Sequence, residues 1–330
     1  MHNSETRPPL ISVIAVSYNQ ERWVLETLES IKAQTLQDFE LIYADDASQD
    51  RSAEVATQWL RVQSFPIRSI IHRENHGLCR TLNEALRLCR GEYVQFIACD
   101  DVLLPQKFER HTALMDGLPE DTAVVYSDVY LMDAHSDPCP GTYWDSIKKW
   151  FFAFPEGRVF DQLLVCNFVP ALSTFIRRSV YREIGNYDES LFYEDWDMWL
   201  RIAERKQFAF SPVISATKRR ISSSMVFSQE KNVVFSQMQI LDKWLRCGRL
   251  SRENREVAVQ KLVHTARKLY ALDHPRSLEA LRAANSVCAR RYLRFATLAA
   301  TVGISHRSFR RFCWMYRAIK SAATWCRRPV

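Results

Sequence analysis

LISVIAVSYNQERWVLETLESIKAQTLQDFELIYADDAS, residues 10–48, decides the architecture. It opens on an apolar run, 10–17, and breaks at Ser17-Tyr18-Asn19. Val24, Leu28 and Ile31 then follow at helical spacing, and a second apolar run, 39–44, ends in Asp45-Asp46-Ala47-Ser48. Short apolar runs suit strands, and apolar positions three and four apart make one face of a helix. The unit recurs. Apolar runs fall at 67–72 and 93–98, with helical periodicity in 53–59 and at Leu78, Leu82, Ala85 and Leu86 between them. Pro105 opens a further helical stretch that reaches Met115, and a fifth run, 123–126, ends in Ser127-Asp128. Alternation of this kind predicts an α/β fold with a parallel, doubly wound sheet.

Ligands of such sheets bind beyond the carboxyl ends of the strands, so the residues after each run carry the functional reading. They are polar throughout: 17–19, 45–48, Asn75-His76-Gly77, Cys99-Asp100-Asp101 and 127–128, five tips on one rim. Residues 133–168, rich in aromatics and Pro and without a period, read as a long loop region bordering the site rather than a second sheet. A helix from Ser179 leads to Gly185-Asn186-Tyr187-Asp188. Tyr193-Glu194-Asp195-Trp196-Asp197 opens another helix, whose Trp199, Leu200 and Ile202 face a core. Beyond about residue 225 only helices are expected, at 230–246, 252–271 and 277–295. Residues 308–325 form a basic amphipathic stretch with Phe309, Phe312, Tyr316 and Ile319 on one side and Arg310, Arg311 and Arg317 mostly on the other.

Composition adds limits. The 330 residues are 47% hydrophobic, without low-complexity tracts or a fixed repeat, so a continuous globular fold is expected. Net charge is +7, yet from Arg246 onward 19 Lys/Arg stand against four Asp/Glu, a balance of +15 that leaves the preceding part at −8. That tail fits either an anionic membrane surface or a helical bundle with solvated Arg. No nucleic-acid motif accompanies it, so no nucleic-acid partner is expected. Nine Cys, with no CxxC pair, read as reduced thiols. Residues 1–9 lack the order of a secretory signal and no apolar run reaches the about 18 residues of a spanning helix, which makes a cytoplasmic protein the expectation.

Several residue types at these tips can do chemistry. The Asp100–Asp101 pair suits a hard divalent cation, Mg2+ or Mn2+, which takes oxygen ligands and is held by one or two carboxylates together with substrate phosphates. Asp45 and Asp46 read either as a turn capping the next helix or as acceptors for a nucleoside. Asn75, Gly77, Arg80 and Asn83 read as a turn with a surface helix face, or as a cluster in which Arg80 approaches a phosphate. Glu194, Asp195 and Asp197 are the candidate bases for an acceptor hydroxyl, since neighbouring carboxylates raise one another's proton affinity; spacing does not choose among them.

From about residue 10 to 226 the chain resembles a family 2 glycosyltransferase of the GT-A fold, the type common in bacterial cell-surface polysaccharide synthesis. The segments that carry the resemblance are SVIAVSYN (12–19), SIKAQT (30–35), ELIYADDAS (40–48), NHGLCRTLNEAL (75–86), GEYVQFIACDDVLLP (91–105) and YEDWDMWL (193–200). The resemblance implies a Rossmann-like mixed sheet flanked by helices over 1–228. Within it, 10–128 is the nucleotide-binding half and 129–228 the acceptor-side half, and 229–330 forms a basic helical extension. It implies a UDP-, GDP- or dTDP-sugar donor, a divalent metal and inversion at the anomeric carbon; taken with the +15 tail, a saccharide or lipid-linked acceptor and peripheral contact with the inner membrane face are the expectation. Ser17, Tyr18, Asn19, Asp45, Asp46, Asn75, Gly77, Arg80 and Asp101 match nucleotide-sugar-binding positions, Asp100 the metal-binding aspartate, Asp195 the base and Glu194 its neighbour. Two departures stand out. The common Asp-x-Asp reads Ala98-Cys99-Asp100, and an expected Arg-x-His reads Arg219-Arg220-Ile221, leaving Lys218, Arg219 or Arg220 to supply positive charge. A catalytically silent binding protein of the same fold is the alternative that these departures raise.

Overall fold

β1 (Ile11–Ser17) and β2 (Phe39–Asp45) are buried at every position, as parallel strands covered on both faces must be, and this is why neither shows a polar–apolar alternation. The computed structural model describes residues 7–221, 229–288 and 291–310. Between β1 and β2 runs α1 (Val24–Lys32), which buries Val24, Leu28 and Ile31. The same crossover then repeats through α2 (Ser52–Leu60), β3 (Ile67–Ile71), α3 (Leu78–Leu88) and β4 (Tyr93–Ala98). After β4 come β5 (Val102–Leu103), α4 (Lys107–Asp116), β6 (Thr122–Ser127), β7 (Tyr130–Met132), β8 (Pro138–Thr142), α5 (Trp144–Ile147) and α6 (Phe160–Val165). A single 3-10 turn, Ala171–Ser173, leads into β9 (Phe175–Arg177), α7 (Ser179–Ile184), α8 (Asp195–Ala203), β10 (Gln207–Ser211) and β11 (Ala216–Arg219).

The main sheet has seven strands in the order β10-β6-β9-β4-β1-β2-β3. All neighbours are parallel except that β9 runs antiparallel to β4 and to β6. The parallel sheet read from β/α alternation alone is thus a mixed one, as the family resemblance implies. β9 returns from the excursion 128–174 and enters between β4 and β6 from the opposite end. Register puts Ser17 beside Asp45 at the carboxyl edge of β1 and β2.

A second sheet, β5-β11-β7-β8, corrects the reading of 133–168 as a loop region. β8 lies inside that stretch, paired antiparallel with β7, and β11 joins β5 antiparallel and β7 parallel. Its strands are two to five residues long, too short for a period to show.

The chain divides into two compact units, Met1–Ser224 and Met225–Val330. In the second, α9 (Glu230–Arg246), α10 (Arg252–Ala271), α11 (Ser277–Val287) and α12 (Arg291–Thr301) each pack on the next. The single helix expected over 277–295 is two, because α11 ends at Val287 with Cys288 extended. The join placed at residue 228 lies outside the described residues, as does the amphipathic stretch 308–325 from 311 onward. The seven cysteines among the described residues are free thiols. No helix among these residues is long and apolar enough to cross a membrane.

At the amino edge of the main sheet, buried Glu40 accepts hydrogen bonds from Ser12 Oγ (2.7 Å), Arg90 N–H (2.7 Å) and Arg90 Nε (3.0 Å). Gly91 packs its Cα into this knot and donates its N–H to Ser12 Oγ (2.8 Å). A Cβ at Gly91 would lie 2.5 Å from the backbone nitrogen of Ser12, closer than non-bonded atoms approach. Gly91→Ala is therefore expected to destabilise the protein by about 1–3 kcal/mol through overpacking, read as a lower urea midpoint at unchanged m-value.

Candidate active site

The carboxyl edge of β1 and β2 is held by its own polar side chains. Asp45 accepts from Ser48 N–H at 2.8 Å and from Ser48 Oγ at 2.7 Å, and Ser48 Oγ in turn accepts the N–H of Asn19 at 2.9 Å. Asn19 Oδ1 accepts the N–H of Gln49 at 2.8 Å, so the tips of the two strands are laced together. Asn19 and Ala47 both sit in the left-handed region, with φ of 54° and 63°, a conformation that costs a non-glycine residue about 1–2 kcal/mol and that persists only when neighbours over-determine it. Here the neighbours are the Asp45–Ser48 and Asn19–Gln49 bonds. Ser17 is buried beside them, and the Tyr18 ring stands half exposed.

Asp46 turns the other way. Its carboxylate accepts the backbone N–H of His76 (2.8 Å) and of Gly77 (2.9 Å), and its carbonyl accepts Asn75 Nδ2 (3.1 Å). Gly77 has φ 83° and caps α3, a backbone that favours glycine. Asp46 thus fixes the 75–77 loop next to the β2 tip. Arg80, on the exposed side of α3, donates from Nε to Glu84 at 3.2 Å, and Asn83 is taken by Tyr187 and Glu189. The turn reading therefore describes Asp45, whereas Asp46 bonds the 76–77 backbone instead of capping α2, and Asn83 is buried against residues 187–189 instead of lying on a surface helix face.

Asp100 and Asp101 follow β4, and β11 lies against them. Arg219 N–H donates to Asp101 Oδ1 (2.8 Å) and Arg219 Nε to the Asp100 carbonyl (2.7 Å). The rest of the Arg219 guanidinium reaches the Asp133 carbonyl (2.9 Å), Ser136 Oγ (3.0 Å) and Glu26 (2.5 Å), over the Trp23 ring. With its side chain fully buried and engaged, Arg219 is a structural staple and not the diphosphate cation suggested for it. Burial raises the pKa of both aspartates, Asp101 to about 8 with the charge of Asp100 adding to the effect. Lys218 pulls both back.

Glu194 and Asp195 stand at the start of α8. Burial raises Glu194 to about 8, with the neighbouring Asp195 contributing; its Oε2 is buried without a hydrogen-bond partner among the described residues. Asp195 is raised by burial only to about 6, because Lys218 and hydrogen bonds from Asn167 and Tyr193 favour its charged form. Asn167 Nδ2 donates to Asp195 Oδ1 at 3.1 Å and to Tyr193 Oη at 2.7 Å. Asp197 is set apart. It is completely buried and pairs with Arg201 Nε at 2.7 Å, and Arg201 also caps the carbonyls of Ile184 and Asn186.

Lys218 is therefore the residue that joins the two acid pairs, since its charge acts on Asp100, Asp101, Glu194 and Asp195 alike. Its ammonium lies 5.8 Å over the Tyr143 ring, and Tyr143 Oη donates to the Asn167 carbonyl at 3.1 Å. Asn167 and Tyr143 escape the sequence reading because they lie in the aperiodic stretch before β9. Lys218 enters it only as one of three neighbouring cations, and the two-residue periodicity of a strand is what separates it from Arg219.

Asp100 and Asp101 present hard oxygen donors of the kind Mg2+ and Mn2+ take, and burial makes their negative charge costly without a cation. Two carboxylates are too few for an all-protein cage, so the donor set fits a metal whose shell substrate phosphates complete.

Residues 12–185 match the model of glycosyl transferase family 2. An uncharacterised glycosyltransferase of Rickettsia typhi is 25% identical over 242 residues, 71% of this chain and 70% of that protein. Among solved structures, a mannosyltransferase from Pyrobaculum calidifontis, PcManGT, in complex with GDP-Man and Mn2+ superposes with a TM-score of 0.60 at 16% identity. The match covers 98% of this chain and 89% of that one. Staphylococcus aureus TarS 1-349 in complex with UDP-GlcNAc gives a TM-score of 0.53 at 16% identity, covering 89% and 92%.

A buried carboxyl whose folded pKa is raised destabilises the folded state once the unfolded chain ionises. For Glu194 that cost grows as pH rises from about 4.5, the ordinary value, to about 8. Glu194→Gln should therefore match wild type near pH 4.5 and be more stable by on the order of 2–5 kcal/mol at pH 8 in urea unfolding. Asp197→Asn, which strands Arg201, should lose about 3 kcal/mol at pH 8. A Glu194→Gln advantage that does not widen with pH would contradict the burial argument.

Proposed function

The chain belongs to glycosyl transferase family 2, with a GT-A-like fold, and on that premise we propose that the edge described above transfers a sugar from a nucleotide-diphosphate donor to an acceptor hydroxyl, with inversion. The observation that carries this reading is Lys218 standing within electrostatic reach of two buried acid pairs, one at the end of β4 and one at the start of α8. Such a layout separates the place where diphosphate charge must be neutralised from the place where a proton must be accepted.

Asp195 is the base. A general base works best with a pKa near the working pH and must be ionised to act; Asp195, raised to about 6, meets both conditions, while Glu194, raised to about 8, keeps its proton and Asp197 is tied to Arg201. Asn167 orients the Asp195 carboxylate. The acceptor oxygen attacks the anomeric carbon, its proton passes to Asp195, and the bond from that carbon to the diphosphate oxygen breaks. Lys218 offsets the charge that develops on the departing diphosphate. A Mn2+ or Mg2+ held by Asp100 and Asp101 would supply further neutralisation of that diphosphate. Ser17, Tyr18, Asn19, Asn75 and Gly77 border the nucleoside. Asp45 and Asp46 set the loops around it, and Arg80 stands at its outer side.

The second unit supports an acceptor at an anionic membrane surface, as in polysaccharide or glycan synthesis on a lipid carrier at the cytoplasmic face. Phe295 and Leu298 on α12, with Val302 and Ile304 just beyond it, are large apolar side chains left exposed, and Arg294, Arg307 and Arg310 are exposed among them. Apolar groups within a basic segment are the composition of an interfacial helix.

Two measurements test the proposal. Hydrolysis and transfer are followed with UDP-, GDP- and dTDP-sugars, with and without Mn2+. One donor is expected to turn over with metal, Asp100→Ala to abolish the metal dependence, and Asp195→Asn to lower kcat about 10²–10⁴-fold with donor affinity kept. Wild-type kcat in Asp195→Asn would remove it as base. In co-sedimentation, wild type should bind vesicles containing phosphatidylserine and not neutral ones, and Phe295→Ser/Leu298→Ser should bind at least fivefold less; equal binding would exclude this face from membrane contact.

A further inference from the structure

His72 follows β3, His76 lies four residues on, and Glu84 stands on the first turns of α3. Their donor atoms all fall within 4.8 Å of one another, the one such group of three among the described residues. His72 Nε2 is 2.9 Å from Glu84 Oε2, His76 Nδ1 is 4.0 Å from Glu84 Oε1, and the two imidazole rings lie 4.5 Å apart. The other nitrogen of His72, Nδ1, is 3.0 Å from Asp46 Oδ1.

This arrangement poses a question of proton count. A neutral imidazole has one N–H, yet His72 has a carboxylate at each nitrogen. Asp46 is itself fixed by two backbone N–H donors, so it is the acceptor that sets the Nδ1–H tautomer. The Nε2 lone pair then faces a carboxylate oxygen, and two lone pairs at 2.9 Å need a cation or a second proton between them. A carboxylate holding one imidazole nitrogen while the other faces outward is also the arrangement that orients metal-bound histidines.

We propose that His72 Nε2, His76 Nδ1 and Glu84 form a transition-metal site of the Zn2+ type, chemically distinct from the hard-oxygen pair Asp100–Asp101. Two imidazoles and a carboxylate are a borderline donor set that suits Zn2+ or Co2+ over Mg2+. Ligands at about 2.0–2.2 Å from such an ion at tetrahedral angles stand about 3.3–3.6 Å from one another, so the His72–Glu84 pair, at 2.9 Å, has to open by about half an ångström. His76 closes the remainder, and since it is exposed it can both move and admit the ion. Arg80 keeps its hydrogen bond to the outer oxygen of Glu84 as the orienting partner on that side. The metal clasps the 75–77 loop to α3, reinforcing the hold that Asp46 has on it from β2.

The test is calorimetric titration of Zn2+ into the full chain, stripped with chelator and free of nucleotide, for wild type, His76→Ala, Glu84→Gln and Asp100→Ala. Co2+ absorption is the second readout. One site of equal affinity in wild type and Asp100→Ala, weakened at least tenfold in His76→Ala and in Glu84→Gln, and a Co2+ d–d spectrum without a thiolate charge-transfer band, are the expected results. Zn2+ should also raise the urea midpoint of wild type and not of His76→Ala, which as a surface substitution leaves the fold intact. Equal Zn2+ affinity in wild type and His76→Ala, a thiolate band, or no binding at all would overturn the proposal, the last result leaving a proton alone between His72 and Glu84.

Discussion

The candidate site depends on one buried guanidinium. Arg219 is withdrawn from solvent, and a charge so placed persists only when its donors are met. It meets them with the Asp100 carbonyl behind the metal-suited pair, with Glu26 on α1, and with Asp133 and Ser136 in the turn between β7 and β8, while its own N–H takes Asp101. Three segments far apart in sequence are thereby fixed on one residue. Because neighbours on a strand point to opposite faces, burying Arg219 turns Lys218 the other way, toward the acids. A four-residue strand thus supplies both the brace and the cation.

What Lys218 faces is an excess of negative charge. Four carboxyl groups are buried or half-buried around it, and burial raises the proton affinity of each. A core built for stability alone would avoid this arrangement, since unpaired buried acids weaken the folded state wherever the unfolded chain is ionised. Under the proposed function the strain would have a use, since one pair would receive a cation and the other a proton. Glu194 and Asp195 show how neighbouring groups are made unequal: the first has a buried oxygen with no donor among the described residues, the second has Asn167 and the start of a helix.

The sequence was legible where packing is repetitive. β4 falls on residues 93–98 as the apolar run does, and α9 and α10 follow their periodicity to the residue, because a buried strand or a long amphipathic helix writes its environment into consecutive side chains. The small sheet was not legible. β5 has two residues, and β8, PCPGT, carries two prolines and a glycine that argue against a strand in isolation. The polar tips were found by position, but type and spacing did not say which carboxylates are engaged. Asp45 is capped by Ser48, Asp46 by backbone N–H groups, and Asp197 by Arg201; Asp195 is distinguished by Lys218 on β11 and by Asn167, 28 residues earlier in a stretch without a pattern.

This engagement bears on how a nucleoside would be read under the proposed function. Carboxylates that already accept two hydrogen bonds from the protein have less capacity for a base N–H, so Asp45 and Asp46 contribute mainly by making the rim rigid. Beside them the half-exposed Tyr18 ring and the exposed Asn75 would remain for a base. Stacking on an aromatic face discriminates weakly among bases, since each has such a face. Discrimination at this edge would then rest on the backbone positions of 17–19 and 75–77, which the left-handed turns at Asn19 and Ala47 and the cap at Gly77 hold in place. The residues that look most like ligands in the sequence act, on this argument, through the loops they hold.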